Sequence, residues 1–173
     1  MFLTRRKPSG VSPLAVSRTS FRVLPSDADT LGHMNNGRFL SIADLGRFEL
    51  LQDAGLYGPM RKRGWYPVVV ASTISYRKSL DLWQKYDVES RFVGIDDRAV
   101  YVEQRFTVDG EIYAQMVIRG RFLKQKGGLV PMDDLIEFFG VTRNEVRLPE
   151  WLQRWSEDVA LPSTKSPAPS VWD

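Results

Sequence analysis

The chain has 173 residues, 43% of them hydrophobic, with 24 Lys and Arg against 21 Asp and Glu, one histidine and no cysteine. That length suits one domain, and a net charge of +3 with basic and acidic residues interleaved excludes the basic stripe of a nucleic-acid binder while leaving room for an anionic small ligand. Without cysteine there is no disulfide, thiolate metal site or cysteine nucleophile, and one imidazole excludes a multi-histidine metal centre, so catalysis must run on carboxylates, hydroxyls, amides and backbone groups.

Residues 1–18 read as a flexible basic arm; the alternative in a eukaryotic source is that residues 1–26, which lack acids and carry five Arg or Lys, are an organelle-targeting segment. No run approaches the ~20 apolar residues of a membrane span, so the chain is expected to be soluble and cytoplasmic. A first strand is expected over 19–24, closed by Pro25. A helix is expected over 39–54, where Phe39, Ile42, Ala43, Gly46 and Leu50 fall on one side. Leu40, Leu45, Phe48 and Leu51 spread round the rest of it, so more than one side must be covered. Residues 56–64 read as a basic connector around Arg61, Lys62 and Arg63.

The pattern then changes period. Strands are expected over 66–76, 86–95, 99–108 and 111–123. Asp109-Gly110 is a two-residue hairpin signal because a type I′ turn needs positive φ at both centres, which sets Phe106 opposite Tyr113 and Gln104 opposite Gln115. Neither face of this last pair is cleanly apolar, which leaves its core face open. Two short helices follow over 131–139 and 149–159, the second packed onto the body through Trp151, Leu152 and Trp155. The Pro- and Ser-rich stretch 161–173 reads as disordered. The expected organisation is therefore a domain over 19–140, a helical extension over 141–160 and a tail. Strand, helix and then successive antiparallel strands make an α+β arrangement, one apolar helix laid on a curled sheet.

Chemistry concentrates in 27–37. Two aspartates, Asp27 and Asp29, precede Gly32-His33-Met34-Asn35-Asn36-Gly37 at the entry to the long helix. The first turn of a helix has unpaired N–H groups and a partial positive charge, so it can hold a developing oxyanion. Thioester hydrolysis needs little more than that and a carboxylate on the other side of the carbonyl, since a thiolate leaves readily. Each residue also has a plainer use. Asp29 can cap the turn, Asp27 can serve as its structural partner, and His33 and Asn35 can organise the loop. Asp44, Arg47 and Glu49 fit helix-surface or interface ion pairs.

The segment Asp27-x-Asp29-x-x-Gly32-His33-Met34-Asn35-Asn36-x-x-Phe39 resembles the signature of the 4-hydroxybenzoyl-CoA thioesterase-like hot-dog proteins. Asp44-Leu45-Gly46-Arg47 stands where these proteins often have an acidic residue followed by small-Arg, and Leu24-Pro25, Arg77-x-Ser79-Leu80 and Asp96-Asp97-Arg98-Ala99 resemble the branch that includes the thioesterase superfamily member proteins of animals. Phe39 stands where many relatives have tyrosine and Ser79 where many have proline. The resemblance implies a hot-dog fold with Asp29 as general base or nucleophile and backbone N–H groups near Asn36 and Gly37 holding the thioester oxygen. Asp27, His33 and Asn35 are then supporting residues, and Arg77 and Lys78 are candidates for the phosphates of coenzyme A. No separate cofactor is expected, coenzyme A being part of the substrate. The implied partners are an acyl-CoA or acyl carrier protein thioester and a second copy of the chain, in a homodimer or dimer of dimers with the acyl group at the subunit boundary. A non-catalytic hot-dog module that binds acyl thioesters or serves as a scaffold is the competing expectation.

Overall fold

Side chains spaced three and four apart put Phe39, Ile42, Ala43, Gly46 and Leu50 on one face of a helix, and in the computed structural model, which describes residues 11–171, all five are buried against a sheet. The elements run β1 (Ser17–Arg22), α1 (Asn36–Asp53), α2 (Tyr57–Lys62), β2 (Trp65–Tyr76), β3 (Lys85–Ile95), β4 (Val100–Val108), β5 (Glu111–Lys124), α3 (Met132–Phe139) and α4 (Glu150–Asp158). The five strands form one antiparallel sheet in the order β1-β3-β4-β5-β2. With α1 laid on its inner face, this is the hot-dog arrangement. Among the described residues no helix is long and apolar enough to cross a membrane.

The inner core joins Phe39, Ile42, Ala43 and Leu50 to Val88, Phe106, Met116 and Ile118. Close approach of helix and sheet depends on Gly46: a Cβ there would come within 2.8 Å of Val88 Cγ1 and 3.0 Å of Gln104 Nε2. Gln104, fully buried in the central strand, donates to Ala43 O at 2.9 Å and to Ser90 Oγ at 2.8 Å and accepts from Arg47. Every polar atom of this amide is thus spent between helix and sheet, as burial requires. On the outer face Ala99, Tyr101, Val117 and Leu152 form a second cluster beneath α4.

Several expectations change. The Asp109-Gly110 turn is present, with φ of 49° and 82°, and Val108 faces Glu111. The register then slips at a bulge, so Phe106 faces Ala114 instead of Tyr113 and Gln104 faces Met116 instead of Gln115. One inserted residue reverses which side chains face inward, which is why alternation alone leaves the core face of β5 open. Residues 56–64 are not a plain connector but contain α2, whose Tyr57 packs edge-to-face on Phe48 and covers a second side of α1. The long helix starts at Asn36, not Phe39, because Asn35 caps it. Strand β1 begins at Ser17, inside the stretch read as an arm; the rest of that reading lies partly at 1–10, outside the described residues. Leu152 is buried, but Trp151 is 49% exposed and does not join Leu152 and Trp155 in packing α4.

Candidate active site

The chain leaves β1 and runs through 24–35 before entering α1, and backbone bonds clamp that loop along 80–84. Val23 N donates to Gln84 O at 3.0 Å, Trp83 N to Val23 O at 3.0 Å and Met34 N to Leu80 O at 2.8 Å. The loop folds on itself. Asn35 N donates to Asp27 O at 2.9 Å, Ala28 bridges Met34, and Asp29 N donates to His33 O at 2.8 Å. Asp29 is therefore carried back beside the segment that leads into the helix.

The two aspartates are held differently. Asp27 is 3% exposed and accepts three hydrogen bonds, from Leu24 N at 3.0 Å and from Arg38 Nε and Nη2 at 2.9 and 2.7 Å. It ties the loop to the first turn of α1, and both of its carboxylate oxygens are engaged. Asp29 is half-buried, and only Oδ1 is engaged, by Leu31 N at 2.9 Å. Its Oδ2 accepts no hydrogen bond among the described residues. Of the two, Asp29 has the carboxylate oxygen able to take a proton or attack a carbonyl.

At the helix start, Asn35 Oδ1 accepts from Gly37 N at 2.8 Å, and Arg38 N donates to Asn35 O at 2.9 Å. Those bonds use two of the first-turn donors that a helix leaves unpaired. The N–H of Asn36 donates to no acceptor among the described residues, and it sits where the helix dipole favours negative charge. His33 is half-exposed, with Nε2 3.5 Å from Asp81 Oδ1, a placement suited to steadying the loop.

Arg77 and Lys78 lie at the end of β2 but are not idle cations. Both grip Glu111, Arg77 Nη1 at 2.8 Å and Lys78 Nζ at 2.7 Å, and these bonds, Lys78's first, hold the Glu111 carboxyl below its ordinary range. Two residues that sequence reading passed over complete the surroundings. Arg38 neutralises Asp27, and Tyr76 donates its hydroxyl to Asn36 O at 3.1 Å while its ring meets Phe39 edge-on. Partial burial pushes the Tyr76 phenol up from its ordinary value. Tyr76 reaches the helix start only through sheet pairing forty residues later, which leaves no local signal. Among the described residues no cluster of His, Asp or Glu could hold a metal ion.

An apolar cavity of about 180 Å³ lies further along α1, between Phe48 and Leu51 of the helix, Val68 and Val69 of β2, and Phe122 of β5. Asp44 and Arg47 border it; they pair with each other, and burial lowers the Arg47 pKa despite that partner.

Both the sequence and the fold have known relatives. The family model described as the Thioesterase-like superfamily matches residues 23–156. Protein THEM6 of Xenopus laevis is 41% identical over 99 residues, covering 57% of this chain and 48% of the relative, so the match spans about half that protein's length. Protein THEM6 of Danio rerio is 34% identical over 157 residues, covering 88% of this chain and 74% of the relative. Among solved structures, YbaW, a probable thioesterase from Escherichia coli, superposes with a TM-score of 0.66 at 20% identity, covering 75% of this chain and 98% of that one.

Proposed function

Because the chain belongs to the thioesterase-like superfamily, we propose that it hydrolyses acyl thioesters, with Asp29 as the acting carboxylate and the N–H of Asn36 as donor to the thioester oxygen. The observation that carries this reading is the asymmetry of the aspartates: both oxygens of Asp27 are engaged, by Leu24 and Arg38, whereas Asp29 keeps one oxygen unengaged beside the entry to α1.

In the general-base form, Asp29 takes a proton from water as the water oxygen bonds to the carbonyl carbon. The carbonyl oxygen gathers negative charge against the Asn36 N–H, the C–S bond breaks, and the departing thiolate takes up a proton. In the nucleophilic form, Asp29 itself bonds to that carbon, expels the thiolate and leaves an anhydride for water to open. Both forms use the same two groups. Gly37 enters less directly, since its N–H is spent on Asn35 and becomes available only if that cap opens. Asp27, Asn35 and His33 keep the loop in shape.

The substrate we favour is an acyl-CoA, with an acyl carrier protein thioester as the other donor. Arg77 and Lys78 would meet its phosphates only in exchange for Glu111, which sets a cost on that contact. The apolar cavity beside Phe48 and Leu51 lies about 18 Å along α1 from Asn36, so it would take the far end of a long acyl chain, and a second copy of the chain would cover it: β2 is an edge strand, with Val69 48% and Val70 42% exposed.

The test is thiol release from a panel of acyl-CoA substrates by the wild type and Asp29→Asn. Loss of at least about a hundredfold in kcat with the fold intact supports the assignment; equal rates remove Asp29 from the mechanism. Release from no substrate supports the second reading, a module that binds acyl thioesters without turnover. The observation favouring that reading is that Asp29 makes the same bond to Leu31 N that a purely structural aspartate makes in a turn.

A further inference from the structure

A concavity of about 870 Å³ lies away from the 27–36 loop. It opens between the β3–β4 turn, Arg119 and Arg121 on β5, and α4 with the 160–164 segment after it. Arg119 shares the outward-facing set of β5 with Val117, whose side chain packs in the cluster beneath α4. The 24–35 loop is clamped at Gln84, just before β3 begins at Lys85, whereas the groove borders Ile95, where that 11-residue strand ends. At about 3.3 Å per residue the two regions are roughly 30 Å apart.

Five arginines line the groove: Arg98, Arg119, Arg121, Arg143 and Arg147. Two are matched inside the chain, Arg119 with Asp96 at 2.8 Å and Arg143 with Asp133 at 2.7 Å. The side chains of Arg98, Arg121 and Arg147 have no ion-pair or hydrogen-bond partner among the described residues. Arg121 is the most telling, because its Nε is buried and has no acceptor. A guanidinium does not shed its proton in a protein, so this donor can be satisfied only by an acceptor that comes to it. The acidic groups in the lining are Asp96, already held by Arg119 and Tyr101, and Asp97 and Glu157.

We propose that this groove binds a phosphate-bearing anion, held by Arg98, Arg121 and Arg147. Planar guanidinium forks match the paired oxygens of phosphate, and a multiply charged phosphate can serve several forks at once where a single carboxylate serves one. The size of the groove is that of a small-ligand pocket. The shared chemistry is phosphate, whose source is free phosphate or pyrophosphate, or the phosphorylated end of a coenzyme bound separately from the 27–36 loop of the same chain.

Calorimetric titration of the full chain with sodium pyrophosphate at low ionic strength tests this. Saturable binding is expected, weakened at least about tenfold in Arg121→Gln and in Arg98→Gln, since each removes a charge-assisted contact. Arg98 is exposed, so its variant keeps the test valid if Arg121→Gln folds poorly. Inorganic phosphate and coenzyme A, titrated separately, rank the two sources; either ranking supports the site if the arginine variants weaken it. No saturable binding of pyrophosphate by the wild type, or unchanged affinity in both variants, overturns the proposal. Because pyrophosphate contains no thioester, the outcome is independent of whether the chain hydrolyses one.

Discussion

Asp27 and Asp29 are two residues apart in one loop, yet replacing each by asparagine should have opposite consequences. The Asp27 side chain is 4% exposed and accepts three hydrogen bonds, two of them from Arg38. An asparagine has a single acceptor oxygen, which can serve Leu24 N or Arg38 but not both, and its amide group turns a donor toward a donor. Hydrogen bonds to charged groups contribute about 1.5–3 kcal/mol each, but the Arg38 side chain is 40% exposed, so solvent recovers part of the loss. The net expectation for Asp27→Asn is a destabilisation of about 2–3 kcal/mol, or roughly 5–10 °C in Tm for a chain of this size. Asp29 accepts one bond, from Leu31 N, and asparagine is as good as aspartate in such a turn, so Asp29→Asn should change stability by less than about 0.5 kcal/mol. Urea unfolding, with the midpoint shifted and the slope unchanged, measures the first; thiol release measures what the second costs in activity. If Asp29→Asn proves as destabilising as Asp27→Asn, or if Asp27→Asn unfolds at the wild-type midpoint, the division into a structural and an acting carboxylate is wrong.

Gly46→Ala should destabilise by about 1–3 kcal/mol in urea despite the better helix propensity of alanine, because the new Cβ would lie 2.8 Å from Val88 Cγ1 and 3.0 Å from both Gln104 Nε2 and Ser90 Oγ. Asn35→Ala removes the acceptor of Gly37 N and should cost about 1 kcal/mol, read from the same transition. Burial raises the Asp96 carboxyl, but hydrogen bonds from Tyr101, Arg98 N and Arg119 outweigh it and hold the group below its ordinary value. With the folded pKa depressed, the stability Asp96 supplies is complete above about pH 4 and lost as pH falls through the folded value. Melts of wild type and Asp96→Asn between about pH 7 and pH 2 should therefore differ most near neutrality and converge in acid; a constant gap across that range would contradict the assignment.

Local pattern carries much of this protein. The 3.6-residue spacing of Phe39, Ile42, Ala43, Gly46 and Leu50 identified the buried face of α1, the Asp109-Gly110 pair marked a hairpin whose positive φ values the backbone adopts, and the run from Asp27 to Phe39 pointed to the family. These features depend on neighbours in sequence, for which side-chain period and backbone preference are sufficient causes. Even the start of α1 was within reach, since Asn35 is a favoured cap.

Other features depend on what another element brings. The bulge that turns Ala114 and Met116 inward, the Arg38 fork that α1 brings onto Asp27, the grip of Arg77 and Lys78 on Glu111, and the Tyr76 hydroxyl at Asn36 all join residues from separate elements or reset which neighbours meet. A sequence states which groups are available; whether a carboxylate is spent on a guanidinium or left with a lone pair is decided by burial and by what lies within about 3 Å, and only the packed chain sets those distances.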